Sequence, residues 1–123
     1  MVAASKTVQR LRNICLGLPE AVEKPFGDHS APAWRVRDKF FVMLQEDASS
    51  MTLKTTREDQ QALLESDPER FFFPKYVGSK GWIGVRLGGG IDWAEMAELI
   101  IESYCLIAPK RLVAQVEVDS PDN

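Results

Sequence analysis

The sequence predicts an α+β domain of two layers, an antiparallel sheet with helices packed on one face, in the order α-β(3-4)-α-β(2)-α. Three observations carry this reading. Short β-type runs are grouped in residues 21–55 and again in 74–87 instead of alternating singly with helices, which favours antiparallel pairing. Apolar residues at helical spacing occupy the beginning, the middle and the end of the chain. Capping signatures open the second and third of those helical stretches. A chain of 123 residues is most simply one such domain, with expected limits of 1–116 for the folded part and 117–123 for a disordered C-terminal tail.

Each element has its own signal. Ser5 or Thr7 caps a first helix whose Val8, Leu11, Cys15 and Leu18 lie near one stripe, and Gly17 with Pro19 stops it. AVEKPF, AWRVR, FFVMLQ and MTLKT then read as three or four antiparallel strands, with Asp38-Lys39 as a tight turn and EDASS as a loop. Arg35 and Arg37 alternate with Trp34 and Val36, so they share a strand face, read as the solvent side of the meander. Thr55 and Glu58 form a capping box for a second helix carrying Leu63 and Leu64, which Asp67-Pro68 ends. PKYVG and WIGVRL follow as two strands joined by Ser79-Lys80-Gly81. Asp92 caps the last helix. Trp93, Met96, Ala97, Ile100, Tyr104 and Ile107 form its buried face, with Glu95, Glu98 and Glu102 on the solvated side. Pro109 ends it, and Lys110 and Arg111 suit its negative C-terminus.

Composition narrows the function. Hydrophobic residues are 45% and charged residues 27%, ordinary globular values, and runs such as FFVML are far too short to cross a bilayer. The start, MVAASKTVQRLRN, lacks the apolar centre of an export signal. Cys15 and Cys105 sit in apolar periodic segments without C-x-x-C spacing, so free buried thiols and a cytoplasmic location are expected.

The formal net charge of −3 hides an alternation along the chain. Residues 1–45 carry seven Lys/Arg against four Asp/Glu, 46–70 three against seven, 71–90 three against none, and 91–123 two against seven. The acid-free segment FFFPKYVGSKGWIGVRLGGG interleaves its cations with rings and glycines, which is what a surface needs to meet phosphates and stack on bases. Lys75, Lys80 and Arg86 are the expected phosphate contacts and Trp82 the expected base contact. Lys54, on the strand before the second helix, extends the patch. Nucleic acid is the partner this expects, provided the cations gather on a side that the glutamate-bearing last helix does not share. Duller readings compete at each position. The lysines also suit a solvated sheet edge. Trp82, and still more Phe71, Phe72, Phe73 and Tyr76, also suit a core.

Enzymatic signals are weak. His29 is the only histidine, no G-x-S-x-G elbow is present, and neither cysteine has a polar context. Asp28-His29 could hold a metal only with ligands from elsewhere. Gly88-Gly89-Gly90 fits neither phosphate-loop pattern, and Asp92 already supplies a carboxylate to the helix that follows. The expectation is a non-enzymatic binding domain with no cofactor and no metal. Its alternatives are a protein-interaction module, such as a homodimer using the exposed rings of 71–82, and a small-molecule pocket between sheet and helices.

The chain resembles the MmcQ/YjbR family of small bacterial proteins. The resemblance lies in LGLPEAVEKPFG, AWRVRDKFFVML, LKTTRED, PKYVGSKGWIGVRL and SYCLIAPKRL, which together span about residues 8–112. It implies a two-layer fold akin to secretion-chaperone-like folds and DNA binding through a double wing of β hairpins. The Ser79-Lys80-Gly81 loop would be one wing tip and the Asp38-Lys39 turn the other.

Overall fold

The computed structural model describes residues 6–25, 27 and 31–119, and it is an α+β fold as predicted. Helix α1 (Lys6–Leu16) precedes strands β1 (Ala21–Glu23), β2 (Ala33–Val36), β3 (Lys39–Leu44) and β4 (Ser50–Lys54). Helix α2 (Arg57–Ser66) leads to β5 (Phe71–Phe72) and β6 (Trp82–Arg86), and α3 (Trp93–Ile107) and α4 (Lys110–Asp119) close the described chain. The six strands form one sheet in the order β1-β2-β3-β4-β6-β5, every neighbour antiparallel. Four strands meander. The chain then passes through α2 and returns with β6 beside β4 and β5 at the edge.

Helix α1 buries Val8, Leu11 and Cys15, the stripe read from the sequence. Ser5 lies outside the described residues, and Thr7 is inside the helix and not its cap. Asp92 caps α3 as expected, accepting from the amides of Ala94 and Glu95 at 3.1 Å each. Helix α3 lies across β3 and β4, and its Met96, Leu99 and Ile100 join the core with Met51, Leu53, Ile83 and Val85.

Several expectations shift by a residue or fail. The second helix is capped by Thr56, whose hydroxyl accepts from the Asp59 amide at 3.0 Å; Thr55 is buried in the corner below it. The β2–β3 turn is Arg37-Asp38, because Lys39 already pairs with Val36. Both turn residues have positive φ, 51° and 68°, the hand that matches strand twist in a two-residue hairpin. Arg37 therefore leaves the strand face it was expected to share with Arg35, and it pairs with Glu20 instead.

PKYVG is not a strand. Residues 75–77 turn, Gly78–Lys80 form a short 3-10 helix, and the partner of β6 is Phe71–Phe72. Helix α4 runs to Asp119, three residues into the segment expected as a tail. Pro109, read as the end of α3, opens α4: it needs no amide partner there, and its carbonyl accepts from Leu112 and Val113 at 3.0 and 3.1 Å. Lys110 and Arg111 thus sit in the first turn of α4. Leu112, 1% exposed, anchors this helix in the core.

A bulge in β3 organises the centre of the sheet. Trp34 pairs with Val42 but Arg35 with Phe40, leaving Phe41 as the extra residue. Ser103 of α3 repairs the ladder there. Its hydroxyl donates to the Phe41 carbonyl at 2.6 Å and accepts from the Lys54 amide at 2.8 Å. The neighbouring Tyr104 donates its hydroxyl to the Pro19 carbonyl at 2.7 Å and meets Phe41 edge-on, ring centroids 5.4 Å apart. The Ser-Tyr pair that carried part of the resemblance is a structural stitch between helix and sheet.

Candidate functional site

Strand register decides which side chains face away from the helices. Lys54 lies opposite Trp82, Thr52 opposite Gly84 and Ser50 opposite Arg86. Phe72 flanks Gly84 from the other side, and Met43 flanks Thr52. Because side chains alternate along a strand, these residues share the face opposite to Met51, Leu53, Ile83 and Val85. Ser50 and Gly84 are buried, Arg86 is exposed, and the others are half-buried. None of these positions is acidic. Helix α3, with its glutamates, packs on the other side, so the required segregation of charge holds for the strand residues.

Three of the five sequence-predicted residues, Lys54, Trp82 and Arg86, are thus brought to one face. They do not form a single cluster. Trp82 and Arg86 stand at opposite ends of β6, four residues or about 13 Å apart. At the Arg86 end, the Phe72 ring covers Gly84, where a Cβ would come within 2.4 Å of it. The Arg86 guanidinium stands over that ring at 4.7 Å and donates to the carbonyls of Pro68 and Glu69 at 3.4 and 3.2 Å. A cleft of about 610 Å³ opens beside this stack, bordered by Ser49, Asp67, Glu69 and Gly89. Arg70, in its wall, is committed to the carbonyls of Arg86, Gly88 and Gly90.

At the other end, Lys54 donates its Nζ to the Lys80 carbonyl at 2.7 Å, passing over Gly81. Gly81, with φ +93°, leaves room for that ammonium; a Cβ would lie 2.7 Å from it. Lys54 thereby supports the 73–81 connection, which exposes Lys75 and Lys80. Gln60 of α2 donates to the carbonyls of Gly78 and Trp82 at 2.8 Å each, and Arg57 donates to the carbonyl of Ser79. Further bonds run from the Gly78 amide to Pro74 and from the Gly81 amide to Gly78, both 3.0 Å. This connection is a braced platform and not a hairpin tip, so the first wing expected from the resemblance is replaced by it. The second wing is a true hairpin, but its Arg37 is paired with Glu20 and its Asp38 with Arg35.

Sequence reasoning favoured the core for Phe71, Phe72, Phe73 and Tyr76, and only Phe71 is buried. Phe73 covers Gly78 yet is 57% exposed, and Tyr76 is 89% exposed. Pro74 and Gly78 bracketing Tyr76 were the signal available, since both residue types interrupt strands. Arg35 does not extend the cationic surface. Its side chain, 14% exposed, stacks on Phe40 at 4.1 Å and donates to Asp38 and to the carbonyls of Lys24 and Pro25.

Glu102 was expected on the solvated side of α3, and it is half-buried against the β4–α2 corner. Burial, together with the neighbouring Asp59 carboxyl, pushes its pKa up to about 7, while the Thr55 hydroxyl at 3.4 Å opposes the shift. The two carboxyls lie between α2 and α3, away from the Ser49–Gly89 cleft. Neither Cys15 nor Cys105 forms a disulfide, and burial raises the pKa of Cys15 far above its ordinary value, which keeps it unreactive. Asp28 and His29 lie outside the described residues. Among the described residues no three His, Cys, Asp or Glu side chains are grouped to hold a metal, and no helix is long and apolar enough to cross a membrane.

Comparison with known proteins agrees with this architecture. A family model described as YjbR matches residues 16–106. Among solved structures, the crystal structure of Deinococcus radiodurans protein DR2400, which carries the DUF419 domain, is similar with a TM-score of 0.76. That likeness covers 89% of this chain and 87% of the other at 22% identity, so it speaks to fold. No curated protein matches.

Proposed function

The chain belongs to the YjbR family, and from that premise we propose that it is a non-enzymatic, cytoplasmic domain that binds nucleic acid, DNA in the first instance. The carrying observation is the open sheet face, where Lys54, Trp82 and Arg86 emerge with no acidic strand neighbour. Lys75 and Lys80 are exposed on the braced connection that leads into Trp82. In this reading Lys54, Lys75, Lys80 and Arg86 contact phosphates, and the half-buried Trp82 borders the strand that they hold.

A salt titration tests it. Four phosphate contacts give a log–log slope of about −2.8 on a single strand and about −3.6 on a duplex, roughly a 50- to 150-fold loss between 50 and 200 mM salt. Lys75→Ala/Lys80→Ala/Arg86→Ala should bind far more weakly and with a shallower slope. Wild type and variant binding alike, or wild type failing to bind at the lower salt, defeats the reading.

The exposure of Phe73 and Tyr76 also favours a second reading, a protein partner or homodimer meeting these rings. A mass by light scattering that rises with concentration and ignores salt would support it.

A further inference from the structure

We propose that Tyr76 is the base-stacking residue of this interface and that it gives the domain a preference for unpaired over duplex nucleic acid. The inference rests on the binding reading above and adds the class of nucleic acid and a residue to it.

The first argument is conformational. Tyr76 has φ +68°, and the Val77 amide donates across it to the Lys75 carbonyl at 2.7 Å, which makes it the centre of a positive-φ γ-turn. A residue with a Cβ pays for that backbone, and glycine would not. Among the described residues the Tyr76 side chain makes no contact that offsets the cost. The ring is 89% exposed, and among the described residues its hydroxyl has no hydrogen-bond partner. A strained residue whose side chain serves no internal contact points to an external one.

The second argument is rigidity. The connection that carries Tyr76 is braced by Gln60, Arg57 and Lys54 from two other elements. An aromatic ring held ready on a fixed loop loses little freedom on binding. Phe73 presents a second, partly exposed ring from the same connection. Lys75 adjoins Tyr76 and Lys80 stands at the far end of the loop, both exposed, so cations flank Tyr76 along the chain.

The third argument concerns the ligand. A ring gains from stacking only on a free base face, and in a duplex each base face is already covered by its neighbours. A protein surface with a prominent solvent-exposed ring between lysines fits a strand whose bases are splayed out.

The test compares a fluorescein-labelled oligothymidylate with a labelled duplex, at about 50 mM salt where electrostatic contacts are strong. The wild type should bind the single strand more tightly. Tyr76→Gly, which suits the backbone conformation and so keeps the fold, should lose roughly five- to 150-fold in single-strand affinity, the range of one stacked base. Tyr76→Phe should retain it, and duplex affinity should be unchanged in both variants. A duplex bound as tightly as the single strand overturns the proposal but leaves nucleic-acid binding standing. Unchanged single-strand affinity in Tyr76→Gly does the same. No binding by the wild type to either probe defeats the broader reading and this one with it. Tyr76→Gly altering self-association, with single-strand binding unaltered, also overturns the proposal and assigns the ring to a protein contact.

Discussion

On the helix side of the sheet, Gln60, Ser103 and Tyr104 each carry a polar group into the interior and each reaches a backbone partner. Among the described residues no buried side-chain nitrogen or oxygen is left without a hydrogen bond. On the other side, Phe72, Trp82 and Lys54 are only half-covered, and the adjoining connection holds Tyr76 out in solvent. A single rule, the two-residue period of a strand, assigns residues to one side or the other. The difference teaches that this domain keeps its stability and its candidate chemistry on opposite faces, so substitutions should separate the two.

The largest separation is expected at Ser103. Ser103→Ala leaves the Phe41 carbonyl and the Lys54 amide without their partner, at a cost of about 2–4 kcal/mol of stability. Denaturant melts should show that loss while the oligonucleotide affinity of the folded protein stays constant. A change in affinity at constant stability would break the comparison.

Gly84 tests the boundary between the faces. Gly84→Ala drives a methyl group to within 2.4 Å of the Phe72 ring, so that ring and the Arg86 above it must move. A cost of about 1–3 kcal/mol is expected, the range of local overpacking. Unlike Ser103→Ala, this change should also weaken binding, measured on the same oligonucleotide.

Glu102 sharpens the helix side through pH. Its folded pKa of about 7 lies above the ordinary carboxyl value, so the folded state holds the proton more tightly than the unfolded one. Stability from this group is therefore complete below the ordinary value, declines as pH rises toward 7, and is lost above it. Glu102→Gln should be more stable than wild type at pH 8 by about 1 kcal/mol, with solvent screening limiting the gain. It should match wild type near pH 4. Thermal melts at the two pH values check the sign, and an advantage at pH 4 would contradict it.

The smallest effect has the opposite sign on the other face. Tyr76→Gly should raise stability by about 1 kcal/mol or less by releasing the positive-φ backbone, as the melting temperature would report. Stabilisation at the candidate contact and destabilisation at Ser103 are the two ends of the comparison.

The face assignment was partly legible in the sequence. The grouping of β-type runs gave the sheet, Asp92 gave the start of α3, and Val8, Leu11 and Cys15 gave the buried stripe of α1. Trp82 and Arg86 were singled out by the acid-free, ring-bearing segment and Lys54 by its place before α2, and the strand period puts the three on one face. The bulge at Phe41 was not visible, since it exists only in the offset between β2 and β3. Within the 73–81 connection PKYVG was misread as a strand because what holds it comes from elsewhere: Gln60 and Arg57 lie about two helical turns of α2 and a whole strand away in sequence. Glu102 was misplaced for the same reason, its environment being set by Thr55 and Asp59 across the α2–α3 contact.

The account stands most directly on where a bound strand sits. Amide chemical shifts of the isotope-labelled protein, followed during titration with oligothymidylate, would locate it. The prediction is that changes concentrate at residues 52–54, 73–82 and 84–86 while α1 and α4 stay still. Changes centred on α1, α3 or α4, with the open face silent, would contradict it.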